Sequence, residues 1–281
     1  MSACRATLEP THQPDAAVWM VSGDDPLKCV AGLLARRIPV VLATVVDTQG
    51  SAPGRTGWKV AVSVDTQAGT VGGGAIEHAI VERCQRMLHD GSGPTLEHYH
   101  TRDLGMCCGG SMTVFFEPFA PPPRLVIFGA GHVAKAVCAI ASLAGFDVTV
   151  CDGREEWLTE ARFHQAKERI LLDADIAVSR TGIDPSSFVL VMTHDHALDE
   201  EVLMRISKLE SHPRWIGVVG SRRKRARFSQ RLSLRGLPPG DIDAIHMPVG
   251  LDLGGSSPHE IAVAITADLI ATRHRGKARP T

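Results

Sequence analysis

Short runs of apolar residues in the first half of the chain predict the strands of a sheet. Residues 40–46 are largely β-branched and continuously apolar, which is typical of a buried strand, whereas residues 59–64 alternate between apolar and polar side chains as a half-buried strand does. The small and polar residues 66–69 predict a turn towards Thr70-Val71. Residues 112–116 predict one more strand. This half of the chain is therefore expected to contain a sheet.

A helix is predicted after three consecutive glycines. Gly72, Gly73 and Gly74 precede a segment in which apolar residues recur at helical spacing as far as His89. The start of such a helix can bind an anion through its backbone N–H groups. Glu77, in the first turn, complements the helix dipole, and this purely structural role explains it equally well.

Strands and helices alternate in the second half of the chain, which is the pattern of a doubly wound parallel sheet. A serine, a proline and a glutamate at Ser257, Pro258 and Glu260 form a helix-capping sequence, so the last helix is expected to begin there and to run to about Ala271. The predicted strands are residues 124–128, 146–151, 188–193 and 215–219.

The segment Ala120-Pro121-Pro122-Pro123 is the predicted domain boundary, because consecutive prolines fix φ and act as a stiff spacer. The fold class is therefore predicted to be α/β. We expect an N-terminal α/β domain in residues 1–120 and a Rossmann-like domain with a doubly wound parallel sheet in residues 124–281.

Composition and charge narrow the functional classes. The chain has 281 residues, 44% of them apolar, and a formal net charge of −1, so neither nucleic acid nor an anionic membrane is an expected partner. The longest apolar runs are far shorter than the roughly twenty residues that cross a bilayer. No secretory signal is visible, and seven scattered cysteines fit reduced thiols, so we expect a cytoplasmic protein.

The strand at residues 124–128 leads into a glycine-rich turn of the type that binds dinucleotides. Gly129 and Gly131 permit a tight turn and a close approach of backbone to a diphosphate, and Asp152, about twenty residues on, can accept from ribose hydroxyls. The same turn also packs a helix against a parallel sheet without any nucleotide. His132 inside the turn is either a ligand contact or only a helix-entry residue.

Adjacent thiols at Cys107 and Cys108 precede Gly109 and Gly110. The Cα atoms of consecutive residues lie about 3.8 Å apart, which is too close for an unstrained disulfide. A glycine-rich turn can aim N–H groups at a thiolate or let a ligand approach closely. Two small buried residues at the start of a strand are the alternative interpretation.

A basic run follows the strand at residues 215–219. Ser221 is followed by Arg222, Arg223, Lys224 and Arg225, which places positive charges near the positive end of a predicted helix. Either a solvated face or a bound phosphate would explain this placement, so Ser221 and Arg222 are candidate phosphate contacts.

Several spaced motifs together resemble the xanthine dehydrogenase accessory protein family, XdhC/CoxI. The resemblance covers nearly the whole chain, and Cys107-Cys108-Gly109-Gly110 is similar to the XdhC branch. The other motifs are residues 42–46, 50–53, 72–77, 104–110, 129–134, 193–195, 217–223 and 248–254.

The resemblance implies a chaperone for the molybdenum cofactor (molybdopterin). Such a protein protects the cofactor while a cysteine desulfurase supplies sulfur, and it delivers the cofactor to xanthine dehydrogenase or a related molybdenum hydroxylase. A homodimer is expected, with Cys108 as the ligand to molybdenum. The predicted cofactor-binding residues are the glycines, thiols and polar residues of the motifs, namely Gly72, Gly73, Gly74, Glu77, Cys107, Cys108, Gly109, Gly110, Gly129, Gly131, His132, Asp152, Ser221 and Arg222.

Two positions depart from the family pattern. Gly54 stands between Pro53 and Arg55, where the family commonly has arginine directly after the proline, and Ala75 occupies a position that is often cysteine in CoxI-type proteins. The thiol hypothesis therefore rests on Cys107 and Cys108.

Two other functions compete with the chaperone. An NAD(P)-dependent oxidoreductase is the main alternative, with a nucleotide in the Rossmann domain, and hydride transfer would distinguish it. A thiol redox or metal-binding protein built on Cys107 and Cys108 is the third interpretation.

Overall fold

The computed structural model describes residues 20–21, 25–105 and 109–275. The chain divides into two compact units between Pro121 and Pro122. Each unit is built around one six-stranded sheet.

The N-terminal unit has a mixed sheet. Its strands are β1 (Met20–Val21), β2 (Val40–Gln49), β3 (Lys59–Val62), β4 (Thr66–Gly69), β5 (Thr95–His100) and β6 (Ser111–Phe119). They lie in the spatial order β1-β4-β3-β2-β6-β5. Only the short pairing of β1 with β4 is parallel, and the other strand pairs are antiparallel.

A helix covers each face of this sheet. Alternate residues of β2 point to opposite faces, as in any strand. Val41 and Val45 belong to the core beneath α2 (Gly74–Asp90), whereas Leu42 packs with α1 (Pro26–Ala35) on the other face.

The C-terminal unit has an all-parallel sheet. Its strands are β7 (Arg124–Phe128), β8 (Asp147–Asp152), β9 (Glu168–Leu171), β10 (Phe188–Val191), β11 (Trp215–Val218) and β12 (Ile245–His246). They lie in the order β12-β11-β10-β7-β8-β9. The helices of this unit are α3 (His132–Leu143), α4 (Ala174–Ala177), α5 (His196–Ile206), α6 (Arg222–Leu234), α7 (Pro239–Ala244) and α8 (Pro258–His274).

Both faces of the parallel sheet are buried, which explains its continuously apolar strands. Leu125 and Ile127 of β7 pack with α3 and α8 on one face, and Val126 and Phe128 pack with α5 and α6 on the other. The strand order reverses between β7 and β10. The carboxyl ends of these two strands therefore form the switch point at which folds of this kind bind ligands.

The predicted α/β class and the Rossmann-type C-terminal domain are confirmed. The capping sequence at Ser257 and Glu260 does begin the last helix. The predicted turn at residues 66–69 is wrong, because these residues form strand β4, which lies between β3 and β1. The described elements β1, α1, β5, β9, α7 and β12 were not predicted.

Candidate functional site

A cavity of about 240 Å³ lies at the carboxyl edge of the Rossmann sheet. Residues at or just beyond the carboxyl ends of strands β7, β8, β9 and β10 line it, so it lies at the switch point of the sheet. Its lining includes Gly129, Asp152, Arg154, Asp173 and His194. A cavity in this place suits a nucleotide or a similar elongated ligand.

The two glycines of the turn after β7 serve different purposes. Gly129 has a φ of 114°, and a Cβ there would lie 2.4 Å from the carbonyl oxygen of Met192, so both the backbone conformation and the packing require glycine. Gly131 has an ordinary extended φ of −67°, and a Cβ there would meet nothing within 4 Å. Neither packing nor backbone strain requires glycine at position 131, which is the N-cap of α3.

Asp152 is almost completely buried at the end of β8, and its carboxylate is hydrogen-bonded to groups of the same chain. Its carboxylate accepts from the backbone N–H of Ala130 at 2.7 Å and from the guanidinium of Arg154 at 2.8 and 2.7 Å. Burial acts to raise the pKa of Asp152, but the bonds from Arg154 and Ala130 outweigh it and hold the pKa below its ordinary value. Asp152 is thus ionised and locked to the glycine turn.

An aromatic cluster that was not predicted adjoins this turn. The guanidinium groups of Arg154 and Arg162 lie 5.1 and 4.8 Å from the ring centre of Trp157. Arg162 also donates to the carbonyl oxygen of Ala130 at 3.0 Å. The exposed His132 ring lies edge-on to Trp157, with ring centres 5.4 Å apart. The sequence signal that could have indicated this cluster was Arg154, which lies two residues after Asp152.

The loop after β10 is held by a buried acid. Asp199 of α5 accepts from the backbone N–H and the hydroxyl of Thr193, at 3.0 and 2.6 Å, and burial raises the pKa of Asp199. Asp195 caps the helix by accepting from Ala197 at 2.9 Å. These bonds fix the backbone of the loop that carries His194 into the cavity lining.

The basic run begins helix α6, as the sequence predicts. Ser221 is the N-cap and accepts from the N–H of Lys224 at 3.3 Å. Arg222 forms an exposed ion pair with Asp252 at 3.2 Å, and Arg225 donates to the carbonyl oxygen of Ile245. The pair between Arg222 and Asp252 therefore balances part of the positive charge of the basic run.

Three glycine-containing loops of the N-terminal unit pack backbone against backbone. A Cβ at Gly110 would lie 2.5 Å from the carbonyl carbon of Ser51, and one at Gly72 would lie 2.7 Å from the N atom of Gly54. A Cβ at Gly54 would lie 2.2 Å from the carbonyl oxygen of Val71, which gives the extra glycine a packing role. The structure thus brings the motifs at residues 50–54, 72–74 and 109–110 together.

The start of helix α2 is already occupied by a carboxylate. Glu77 accepts from the N–H groups of Val71 and Gly73 at 3.0 and 3.1 Å and from the hydroxyl of Thr70. Burial acts to raise the pKa of Glu77, but these hydrogen bonds hold it below its ordinary value. An anion at Gly73 would have to displace Glu77.

Cys107 and Cys108 lie outside the described residues. Within the described part of the chain, burial raises the pKa of Cys84 to about 12 and that of Cys138 to about 11, and it also raises the pKa of Cys151. These three thiols stay protonated at neutral pH and are structural. No group of three or more His, Cys, Asp or Glu side chains in the described residues is arranged to hold a metal ion.

Among residues 20–21, 25–105 and 109–275, no helix is both long and apolar enough to cross a membrane.

Each half of the chain matches a protein-family model. Residues 125–269 match the family model described as the XdhC Rossmann domain, and residues 33–100 match the model described as the XdhC and CoxI family.

Three bacterial proteins are similar in sequence. The uncharacterized protein YqeB of Escherichia coli is 32% identical over 87% of this chain and 45% of its own length. A protein of Bacillus subtilis that is named as a probable component of xanthine dehydrogenase is 32% identical over 58% of this chain and 46% of its own length. The chain thus spans less than half of the length of these two relatives. PaoD of Escherichia coli, a molybdenum cofactor insertion chaperone, is 21% identical over 93% of this chain and 92% of its own length.

A solved structure from Bacillus halodurans has a similar fold. It is described as a xanthine dehydrogenase from Bacillus halodurans, is 24% identical, and aligns with a TM-score of 0.50 over 91% of this chain and 98% of its own. The order of the motifs, the Rossmann sheet and the two family matches lead to one conclusion: the chain belongs to the XdhC and CoxI family.

Proposed function

We propose that the protein binds molybdenum cofactor and assists the maturation of a xanthine dehydrogenase or a related molybdenum hydroxylase. Membership of the family supports a maturation role. The name of PaoD, which aligns over most of both chains, supports a link to molybdenum cofactor. The name of the Bacillus subtilis relative supports xanthine dehydrogenase as the client.

The packing of the three glycine loops is the observation that carries this proposal. Gly109 and Gly110 directly follow Cys108 in the chain, and Gly110 is pressed against Ser51 and Ala52. The described backbone that directly follows Cys108 in the chain is therefore closely packed. A thiolate suits a sulfur-rich molybdenum centre by its softness, so we assign Cys108 as the ligand and Cys107 as its assistant.

We assign Gly72 to the packing of these loops, and we do not assign a phosphate to residues 72–74. The Glu77 carboxylate already accepts from Val71 and Gly73, and a phosphate there would meet a negative charge. We assign the Rossmann cavity to a nucleotide, with Gly131 as the residue that a diphosphate approaches. In this scheme a cysteine desulfurase supplies the sulfur, and the protein shields the cofactor until it reaches the client.

A single substitution at Cys108 tests the proposal. Cys108→Ser keeps the size of the side chain but replaces a soft, ionisable sulfur with a hydroxyl that binds molybdenum poorly. We expect the variant to fold but to retain little cofactor and to activate apo xanthine dehydrogenase poorly. Cys84→Ala is the matched control, because Cys84 is fully buried in the same unit and its thiol stays protonated.

The readouts are circular dichroism, the amount of retained cofactor, and the activity of reconstituted apo xanthine dehydrogenase. Wild-type activation by Cys108→Ser would refute a chemical role for Cys108. Failure of the wild-type protein to retain freshly released cofactor above the level of an unrelated protein would refute the chaperone function.

An NAD(P)-dependent oxidoreductase is the second candidate, favoured by the cavity beside Gly129 and Asp152. Hydride transfer from a bound nicotinamide would establish it, and would be absent from a chaperone.

A further inference from the structure

Where β8 ends at the Rossmann cavity, the Asp152 carboxylate has no free hydrogen-bond acceptor site. We call this part of the cavity the β8 corner. Oδ1 of Asp152 accepts from the backbone N–H and Nε of Arg154, at 3.0 and 2.8 Å. Oδ2 accepts from the N–H of Ala130 and from Nη2 of Arg154, both at 2.7 Å. A carboxylate has about four lone-pair sites, and four donors from the chain fill them here. Asp152 therefore has no acceptor capacity left for the hydroxyl groups of a ribose.

The same corner instead presents donors. A guanidinium carries five N–H groups, and Asp152 takes one from Nε and one from Nη2 of Arg154. In the described part of the chain the remaining N–H groups of Arg154 have no acceptor, and the side chain is 28% exposed. The Trp157 ring, with Arg162 also packed on it, holds the guanidinium in place. At this corner, Arg154 therefore offers hydrogen-bond donors to a ligand, and Asp152 offers it no acceptor.

A free carboxylate at this position of the fold selects an unmodified ribose, whereas an arginine accommodates a ribose phosphate. We propose that the cavity binds a nucleotide whose ribose carries a phosphomonoester, and that Arg154 recognises this phosphate. Asp152 is a positioning residue that orients Arg154 and the glycine turn. This inference rests on the proposed nucleotide site, not on the binding of molybdenum cofactor at Cys108.

Two other polar groups line the cavity and offer a competing explanation. Asp173 lies close to Gly153, since a Cβ on Gly153 would be 2.4 Å from its Oδ1, and His194 lies on the loop after β10. The Asp173 carboxylate is an acceptor that suits the amino group of a base. It would also suit an unmodified ribose, so its contribution has to be measured separately.

Calorimetric titration of the full chain with three probes tests the proposal. The probes are ADP-ribose, 2′-phospho-ADP-ribose and 3′-phosphoadenosine 5′-diphosphate, and the last two distinguish the position of the phosphate. A charge-assisted hydrogen bond from Arg154 should make a phosphorylated probe roughly ten- to a hundredfold tighter than ADP-ribose.

Arg154→Met should remove this preference and also tighten ADP-ribose, because it frees two of the acceptor sites of Asp152. Lys167→Met is the matched control, since Lys167 pairs with Asp147 at 2.7 Å at the opposite end of β8 and should leave the preference unchanged. If Arg154→Met fails to fold, Arg154→Lys replaces it. Lysine keeps the charge without the paired N–H groups, so it should retain only part of the preference.

Equal affinity for ADP-ribose and both phosphorylated probes would overturn the inference, as would a preference that Asp173→Asn removes and Arg154→Met leaves intact. Absence of binding by all three probes would also overturn it, and retention of molybdenum cofactor measured in parallel would show whether the chaperone role survives.

Discussion

At the scale of single residues, the two glycines of the turn after β7 meet different structural requirements. Gly129 is required by its φ of 114° and by the nearby carbonyl of Met192, whereas Gly131 faces open space. The motif has glycine at both places, but only the structure shows that packing and backbone conformation require the first and not the second.

This difference predicts opposite results for two alanine substitutions. Gly129→Ala should lower the free energy of unfolding by about 2–4 kcal/mol, because it adds backbone strain to overpacking. Gly131→Ala should lower it by at most about 1 kcal/mol, the cost of alanine at the N-cap of α3, yet weaken nucleotide binding, because the methyl group would occupy the space of a diphosphate. Denaturant unfolding and calorimetric titration measure the two effects. A stable Gly129→Ala protein would show that the turn can relax away from β10.

Glu77 should act as a pH-dependent support of helix α2. Its pKa is lower in the folded protein, so its contribution to stability is present above its ordinary pKa of about 4.3 and is lost as the pH falls through the folded pKa. Glu77→Gln should be less stable than wild type by about 1 kcal/mol at pH 7, and the difference should shrink below pH about 4.

Glu82→Gln on the same helix is the control for this prediction. Glu82 is exposed and pairs with His78 at 3.3 Å, so its loss should change stability by less than about 0.5 kcal/mol. A constant difference between Glu77→Gln and wild type from pH 7 to pH 3 would contradict the assigned role.

At the scale of elements, one polar contact fastens edge strand β5 to helix α2. Nε of Arg83 lies 2.6 Å from the Glu97 carboxylate, which also accepts from the Tyr99 hydroxyl at 3.0 Å. All three side chains are half-buried. Loss of the arginine leaves the carboxylate with one donor fewer in a partly desolvated place.

Arg83→Met should therefore lower the free energy of unfolding by about 1–2 kcal/mol, a value discounted for partial exposure. Arg86→Met on the same helix removes an exposed arginine and should change it by less than about 0.5 kcal/mol. Hydrogen exchange should show faster opening of β5 only in Arg83→Met. Equal exchange in the two variants would mean that pairing with β6 alone holds the strand.

At the scale of the whole molecule, the two units have separate hydrophobic cores. The clusters beneath α1 and α2 contain residues of the N-terminal unit, and those flanking the parallel sheet contain residues of the C-terminal unit. Separate cores allow separate unfolding.

We expect two calorimetric transitions that respond to different substitutions. Ile80→Ala and Leu190→Ala each empty a fully buried site, in the N-terminal and C-terminal unit respectively, and should each lower one transition at a cost of about 2–5 kcal/mol. A nucleotide that binds the Rossmann cavity should raise only the transition that Leu190→Ala lowers. A single transition, shifted equally by both substitutions, would show that the units unfold together.

Strong local signals made much of the fold predictable. Runs of apolar residues mark the strands at residues 124–128 and 188–191, and a capping sequence at Ser257 marks the start of the last helix. These patterns are local, so they can be recognised without knowledge of the tertiary contacts. Strands β4 and β5 were missed because TQAG and TLEHYH are polar or small, and only their neighbours in the sheet make them strands. Helix α1 was also missed, although Asp25 and Pro26 mark its start.

The sequence by itself determined the α/β class, the Rossmann-type C-terminal domain and the family, because periodicity and ordered motifs are local properties of the chain. Only the tertiary structure decided how the candidate residues are used. It shows that Glu77 fills the start of its own helix, that Arg154 saturates Asp152, and that Gly131 alone of the two turn glycines faces open space. Whether a donor meets an acceptor and whether space stays free depend on the path of the backbone and the orientation of the side chains in three dimensions, which the spacing of residues in the sequence does not specify.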